Sequence, residues 1–143
     1  SLMSTLKVTN VAHETSTLNT LVFDNGGGSG NGRVTTKGTI GEISAVSYAS
    51  TITLDFRTAN NFSTTLTGNT TFANPSNISA GQSGVLILTQ DGTGSRTAAF
   101  GSYWDFSDGT APTLSTGANA VDVIAWFARS STKISAQFIG NFS

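Results

Sequence analysis

The sequence predicts an all-β protein: an antiparallel β-sandwich of jelly-roll type with an extended N-terminal arm. Three observations carry that expectation. Apolar residues alternate with polar ones at the period of a half-buried strand, and no stretch of ten or more residues spaces them as a helix would. Glycine punctuates the apolar runs, as turns require. Thr, Ser, Asn and Gly number 23, 19, 11 and 16, almost half of the 143 residues, while charged residues are 10% against an ordinary value of about 25%. A chain of this length fits one domain and is able to bury a core.

The N-terminal part differs from the rest. Leu6 and Val8, then Leu18, Leu21, Val22 and Phe23, are short apolar groups in a Thr/Ser/Asn background. Asp24 to Gly32 then forms a glycine-rich run with the composition of a flexible connection. This predicts an arm or stem over residues 1–35 and a compact knob over residues 36–143. The arm holds too few apolar residues to fold alone, so it must pack on its own domain or on a neighbouring copy.

Within the knob, Ile52, Leu54 and Phe56 alternate with Thr51, Thr53, Asp55 and Arg57. After Thr58 to Asn61 the alternation resumes at Phe62, Thr64 and Leu66, which predicts a hairpin with Asn60 and Asn61 at positive φ in its turn. Val85-Leu86-Ile87-Leu88 is apolar on both faces, as a central strand is. Asp91-Gly92-Thr93-Gly94 reads as a turn, and Arg96 to Phe100 as the returning strand. Val121 to Ala128 and Ile134 to Phe138 flank Arg129 to Thr132 as a last strand pair. There Val121, Val123, Ala125 and Phe127 share one face and Ile124 and Trp126 the other, so both faces are expected to be covered. Short strands at this spacing fit a sandwich or jelly roll.

Charge and composition exclude several functions. The net charge is -1, and the Lys and Arg residues are scattered, which gives no footprint for nucleic acid or an anionic membrane. No apolar run approaches the roughly 20 residues that span a bilayer, and no signal peptide is predicted. Without cysteine there are no disulfides, thiolate chemistry or Cys-ligated zinc. The single histidine, His13, is the one imidazole available to activate a nucleophile, and it lies in the arm. The expectation is a non-enzymatic protein with no cofactor and no metal.

The individual motifs agree. The glycine run is followed by Arg33-Val34-Thr35 instead of the Gly-Lys-Ser/Thr and helix of a phosphate-binding loop. Asp105, Asp108 and Asp122 lack the alternating spacing and distal glutamate of a calcium loop, so Asp105 to Gly109 reads as a turn. Nothing pairs two of the Asp residues for glycoside hydrolysis. Asn61, Asn69, Asn77 and Asn141 begin glycosylation-type triplets that such a composition produces by chance. The densest aromatic cluster, Tyr103, Trp104 and Phe106 between Gly101 and Gly109, either closes the end of the sandwich or offers rings to a glycan, receptor or neighbouring subunit.

Two stretches carry a family resemblance. Met3-Ser4-Thr5-Leu6-Lys7-Val8-Thr9-Asn10-Val11, with Leu21-Val22-Phe23-Asp24 before the glycines, resembles the opening of virion structural proteins of tailed phages, particularly marine ones. In that resemblance Met3 is the natural first residue and Ser1-Leu2 a remnant of recombinant production. Gly81 to Arg96, with Gly109 to Thr116 and Val121-Asp122-Val123, is similar to a C-terminal module of phage tail-fibre proteins. The resemblance implies a virion component, a homotrimeric fibre, knob or accessory tail protein at the particle surface. Its partners would be itself, other virion proteins and a host-surface glycan, with no nucleic acid and no membrane insertion. The arm residues Leu6, Val8, Leu18, Leu21 and Phe23 would attach it to the particle, and Tyr103, Trp104 and Phe106 would form a recognition loop. A capsid decoration protein and a monomeric carbohydrate-binding module are the alternatives.

Overall fold

The computed structural model describes residues 37–142, nearly all within one compact unit that starts at Ile40. Residues 1–36 and 143 lie outside the described residues, and with them the predicted arm, the glycine run and His13. The described strands are β1 (Ile43–Ala45), β2 (Thr51–Ile52), β3 (Asn61–Leu66), β4 (Thr70–Phe72), β5 (Ser83–Gln90), β6 (Ala98–Phe100), β7 (Trp104–Phe106), β8 (Val121–Ser130) and β9 (Lys133–Ile139). One turn of 3-10 helix covers Ser107–Gly109. The all-β expectation holds.

The pairing is not that of an antiparallel sandwich. The large sheet has the order β1-β3-β5-β8-β9-β7, and a small sheet has the order β2-β4-β6. Strands β1, β3 and β5 run parallel, and so do β2, β4 and β6. The chain therefore lays one strand in the large sheet, crosses to the small sheet, and returns one position further along. A parallel pair cannot be closed by a two-residue turn, and here each return passes through the opposite sheet. This is the stacking logic of a solenoid, repeated three times at intervals of roughly 20 residues. Among the described residues antiparallel pairing enters only with β5–β8 and β8–β9.

Three expectations are corrected by this topology. Ile52 to Arg57 and Phe62 to Leu66 do not form a hairpin, because β2 and β3 belong to different sheets. Leu54 and Phe56 are buried although they lie outside any strand, on the segment that crosses between sheets. Asn61 is a strand residue whose Oδ1 accepts from the Val85 amide at 3.3 Å; it does not occupy a left-handed turn. Finally, Arg96 to Phe100 does not return beside β5. Its last three residues form β6 and pair with β4.

The β5–β6 connection shows why. Asp91 accepts from the Thr93 and Gly94 amides at 3.1 and 2.9 Å, and its other oxygen accepts from the Arg96 guanidinium at 2.8 Å. Gln90 closes the same corner, donating to the Arg96 carbonyl and accepting from its amide. Gly94 has φ 74° and is packed so closely on the Thr116 carbonyl that no Cβ fits. These bonds turn the chain away from the sheet it has just left.

One core lies between the two sheets. Register aligns Ile52, Phe72 and Phe100 across the small sheet and Phe62, Leu86, Ile124 and Phe138 across the large one. Phe62, Phe72, Leu66, Leu86, Leu88, Ile124 and Ile134 are almost fully buried. Trp126, expected in the core, is buried and stacks on Phe56 with ring centroids 4.2 Å apart. Asp122 is also buried; its carboxylate accepts from the Ser115 and Asn141 amides at 2.8 and 2.9 Å, tying two loops to β8.

The expected final strand pair is present as the β8–β9 hairpin, closed at Ser131-Thr132. The expectation that both of its faces are covered is not met among the described residues. Ile124 is fully buried, whereas Phe127 on the opposite face is 48% exposed and Ile139 of β9 is 45% exposed.

Candidate functional site

The predicted recognition residues fall on β7 and the segment that leads into it, at the end of the domain where β6, β7 and the 3-10 turn converge. Asp108 and Gly109 adopt left-handed φ of 59° and 70°, conformations that Asp and Gly tolerate best, and they fold the chain back after Phe106.

The three aromatic residues do not act as one platform. Trp104 is buried, makes edge contacts with Phe100 and Phe56 at 5.6 and 6.3 Å, and donates from Nε1 to the Ala73 carbonyl at 3.3 Å. It joins the core to the end of the domain. Tyr103 packs partly buried against the core, its backbone amide donating to Asn74 Oδ1 at 2.9 Å and its carbonyl accepting from Ile134. Phe106 is half-buried and meets Phe100 edge to face at 4.8 Å.

Phe100, Trp104 and Phe106 together form the wall of a recess of about 470 Å³, completed by Gly101, Ser102 and Asp105. Thus Trp104 and Phe106 line one site, and Tyr103 does not. Phe100 was missed by the sequence reading. Its signal was its place in the Ile52, Phe72, Phe100 series, visible only once the repeat is recognised.

The rim is polar. Asp105 pairs with Arg129 and, at 3.2 Å, with Lys133. Lys133 also donates to the Ser102 carbonyl at 3.3 Å, and the Ser102 hydroxyl accepts from Asn74 at 3.2 Å. An apolar aromatic wall beside a hydroxyl and backbone polar groups can hold an uncharged ring whose edge carries hydrogen-bonding groups.

The acidic residues weighed for calcium are engaged separately: Asp105 by Arg129 and Lys133, and Asp122 by backbone amides. Among the described residues no cluster of three or more His, Cys, Asp or Glu is placed to hold a metal ion. The attachment residues Leu6, Val8, Leu18, Leu21 and Phe23 lie outside the described residues.

Comparison with known proteins agrees with the resemblance drawn from residues 81–123. No curated protein and no solved structure matches the chain. A family model does, the one described as "Putative phage tail fibre C-terminal domain", over residues 34–129, about two thirds of the chain. That span includes β1 to β7 and most of β8, so it contains both the stacked parallel strands and the aromatic recess. The chain belongs to the phage tail-fibre C-terminal domain family, and is a structural component of a phage virion.

Proposed function

We propose that this chain is an exposed, non-enzymatic part of the phage tail, assembled as a homotrimer, whose aromatic recess contacts a saccharide of the host surface. The observation that carries the host contact is the recess itself. Three aromatic side chains form its wall, and the Ser102 hydroxyl with the backbone at Gly101 and Gly109 supplies donors and acceptors at its mouth. Sugars present apolar C–H faces and hydroxyl edges, and this combination matches both. Membership of a tail-fibre family supports a place on the tail over capsid decoration. In this reading residues 1–35 attach the domain to the particle. Deleting residues 3–23 then abolishes attachment and leaves the knob folded; an unfolded knob would contradict the division.

The test of the recess is binding to immobilised bacterial surface polysaccharides. Phe106→Ala removes a half-buried ring without opening the centre of the core, and is expected to weaken binding about tenfold or more, as loss of an aromatic anchor does. Trp104→Ala is a poor probe because that ring also holds the core. Equal binding by the parent and Phe106→Ala proteins would remove the recess from the account.

A further inference from the structure

The outward face of the large sheet carries a partly exposed aliphatic surface that no other strand among the described residues covers. Along it, Val85 lies opposite Ala125, Ile87 opposite Val123, Thr89 opposite Val121, and Val123 opposite Ile139. Alternation puts these residues on the side away from the core, because their neighbours Leu86, Leu88, Ile124 and Trp126 are buried. A soluble sheet with one free face ordinarily dresses it with charged or polar side chains. Here the outward positions of β5 and of β8 up to Phe127 include no ionisable residue. Charge appears only at one end, where Arg129 and Lys133 are paired with Asp105 of the same chain.

We infer that this face is the contact between copies of the chain. The inference rests on the homo-oligomeric part of the reading above and names the surface that serves it. Charge selects the occupant. A neutral aliphatic face offers nothing to an acidic or basic partner, whereas a second copy presents the same uncharged rows and meets no repulsion. Size agrees as well. Strands β3, β5, β8 and β9, six to ten residues long at about 3.4 Å per residue and about 4.8 Å apart, give roughly 500 Å² of sheet per copy. Three such faces meeting around a trimer axis bury roughly 1,500 Å² in all, within the range of specific interfaces. The face also has relief: beside Phe127 a groove of about 500 Å³ opens between Phe127, Gln137, Ser135 and Asp105. A neighbour's exposed Phe127 or Ile139 is the kind of side chain that such a groove takes up.

The test uses the full chain and its solution mass. Val123→Lys and Ile87→Lys each place a charge in the centre of the face while their buried neighbours stay unchanged. The parent protein is expected at a multiple of 14.7 kDa. Each lysine variant is expected at 14.7 kDa with an unaltered near-ultraviolet spectrum, while Arg57→Ala, an exposed position on the segment between β2 and β3, remains multimeric. Multimeric lysine variants would move the contact elsewhere and overturn this proposal, leaving the homo-oligomer intact. A monomeric parent would overturn both and hand the face to a different virion protein.

A second measurement covers the case in which the lysine variants fail to fold. The chain has no cysteine, so Ala125→Cys provides a unique thiol at the centre of the face. Its reaction with a bulky maleimide is expected to be roughly tenfold slower at concentrations that hold the multimer than after dilution to the monomer. Labelling that is equally fast at both concentrations would overturn the proposal.

Discussion

On β5 and β8 the two faces of the large sheet are both mainly apolar, yet they are treated in opposite ways. On β8, Ile124 and Trp126 point inward and are buried, while Val123 and Phe127, one residue away, point outward. Apolarity alone therefore does not tell which face holds the fold. What separates them is the small sheet, which covers one face with Ile52, Phe72 and Phe100; among the described residues no second sheet covers the other. The lesson is that an apolar strand reports that something covers each face, without saying that the cover is part of the same chain.

The comparison breaks most visibly by truncating the two faces in turn. Ile124→Ala is expected to cost about 2–5 kcal/mol, because it removes a fully buried side chain from a packed core. Val123→Thr, one residue along and close to isosteric, is expected to change the stability of the separated domain by only about 0.5 kcal/mol. Denaturant unfolding at concentrations that hold both proteins monomeric checks the pair. Losses of equal size would mean that the outward face is also core.

A smaller effect is expected at Asp122, the buried carboxylate beside Val123. Its two oxygens accept from the Ser115 and Asn141 amides, and Asp122→Asn keeps only one accepting oxygen. The expected loss is about 1–3 kcal/mol, because a part-buried hydrogen bond to a charged acceptor is lost. Amide exchange should show faster opening at one of those two residues, with the strands themselves unaffected. Unchanged protection at both would remove Asp122 as the tie between the loops.

The smallest effect is electrostatic and belongs to the connections, not to either face. Hydrogen bonds from Arg96, together with backbone amides, hold the Asp91 carboxyl below the usual carboxylate range; the Asn77 amide and the Arg57 backbone do the same for Asp55. A lowered folded-state value means that the stabilisation is complete above the ordinary carboxylate pKa of about 3.9 and is lost as pH falls through the lower folded value. The melting temperature should therefore be level from neutral pH to about pH 5 and fall below about pH 4. Asp91→Asn should make that fall shallower; an identical fall in the variant would exclude Asp91 as a contributor.

What was legible in the sequence follows from how local each cause is. The β8–β9 hairpin was readable because two alternating runs are joined by a short polar turn, and nothing distant competes. Val85 to Leu88 was recognisable as a central strand because it is apolar on both sides. The run Ile52 to Arg57 followed by Phe62 to Leu66 looked equally local, yet its partners lie about 20 residues away in the preceding and following turns of the stack. Alternation reports which side chains go inward and is silent on which strand lies alongside. A weak repeat that brings Ile52, Phe72 and Phe100 into one row was the available signal, blurred by connections of unequal length. At the site, the aromatic cluster was visible, but its division into buried Trp104 and half-buried Phe106 depends on Phe56 and Phe100, which come from other segments.

The central claim is that the inward face holds the domain together and the outward face holds copies together. The most direct measurement is the solution mass of the unaltered full chain across a dilution series, with the near-ultraviolet spectrum recorded alongside. The unaltered chain is expected at a multiple of 14.7 kDa that falls to 14.7 kDa on dilution while the spectrum of the buried aromatic residues stays the same. A mass of 14.7 kDa at every concentration, or a spectrum that collapses with the mass, would contradict it.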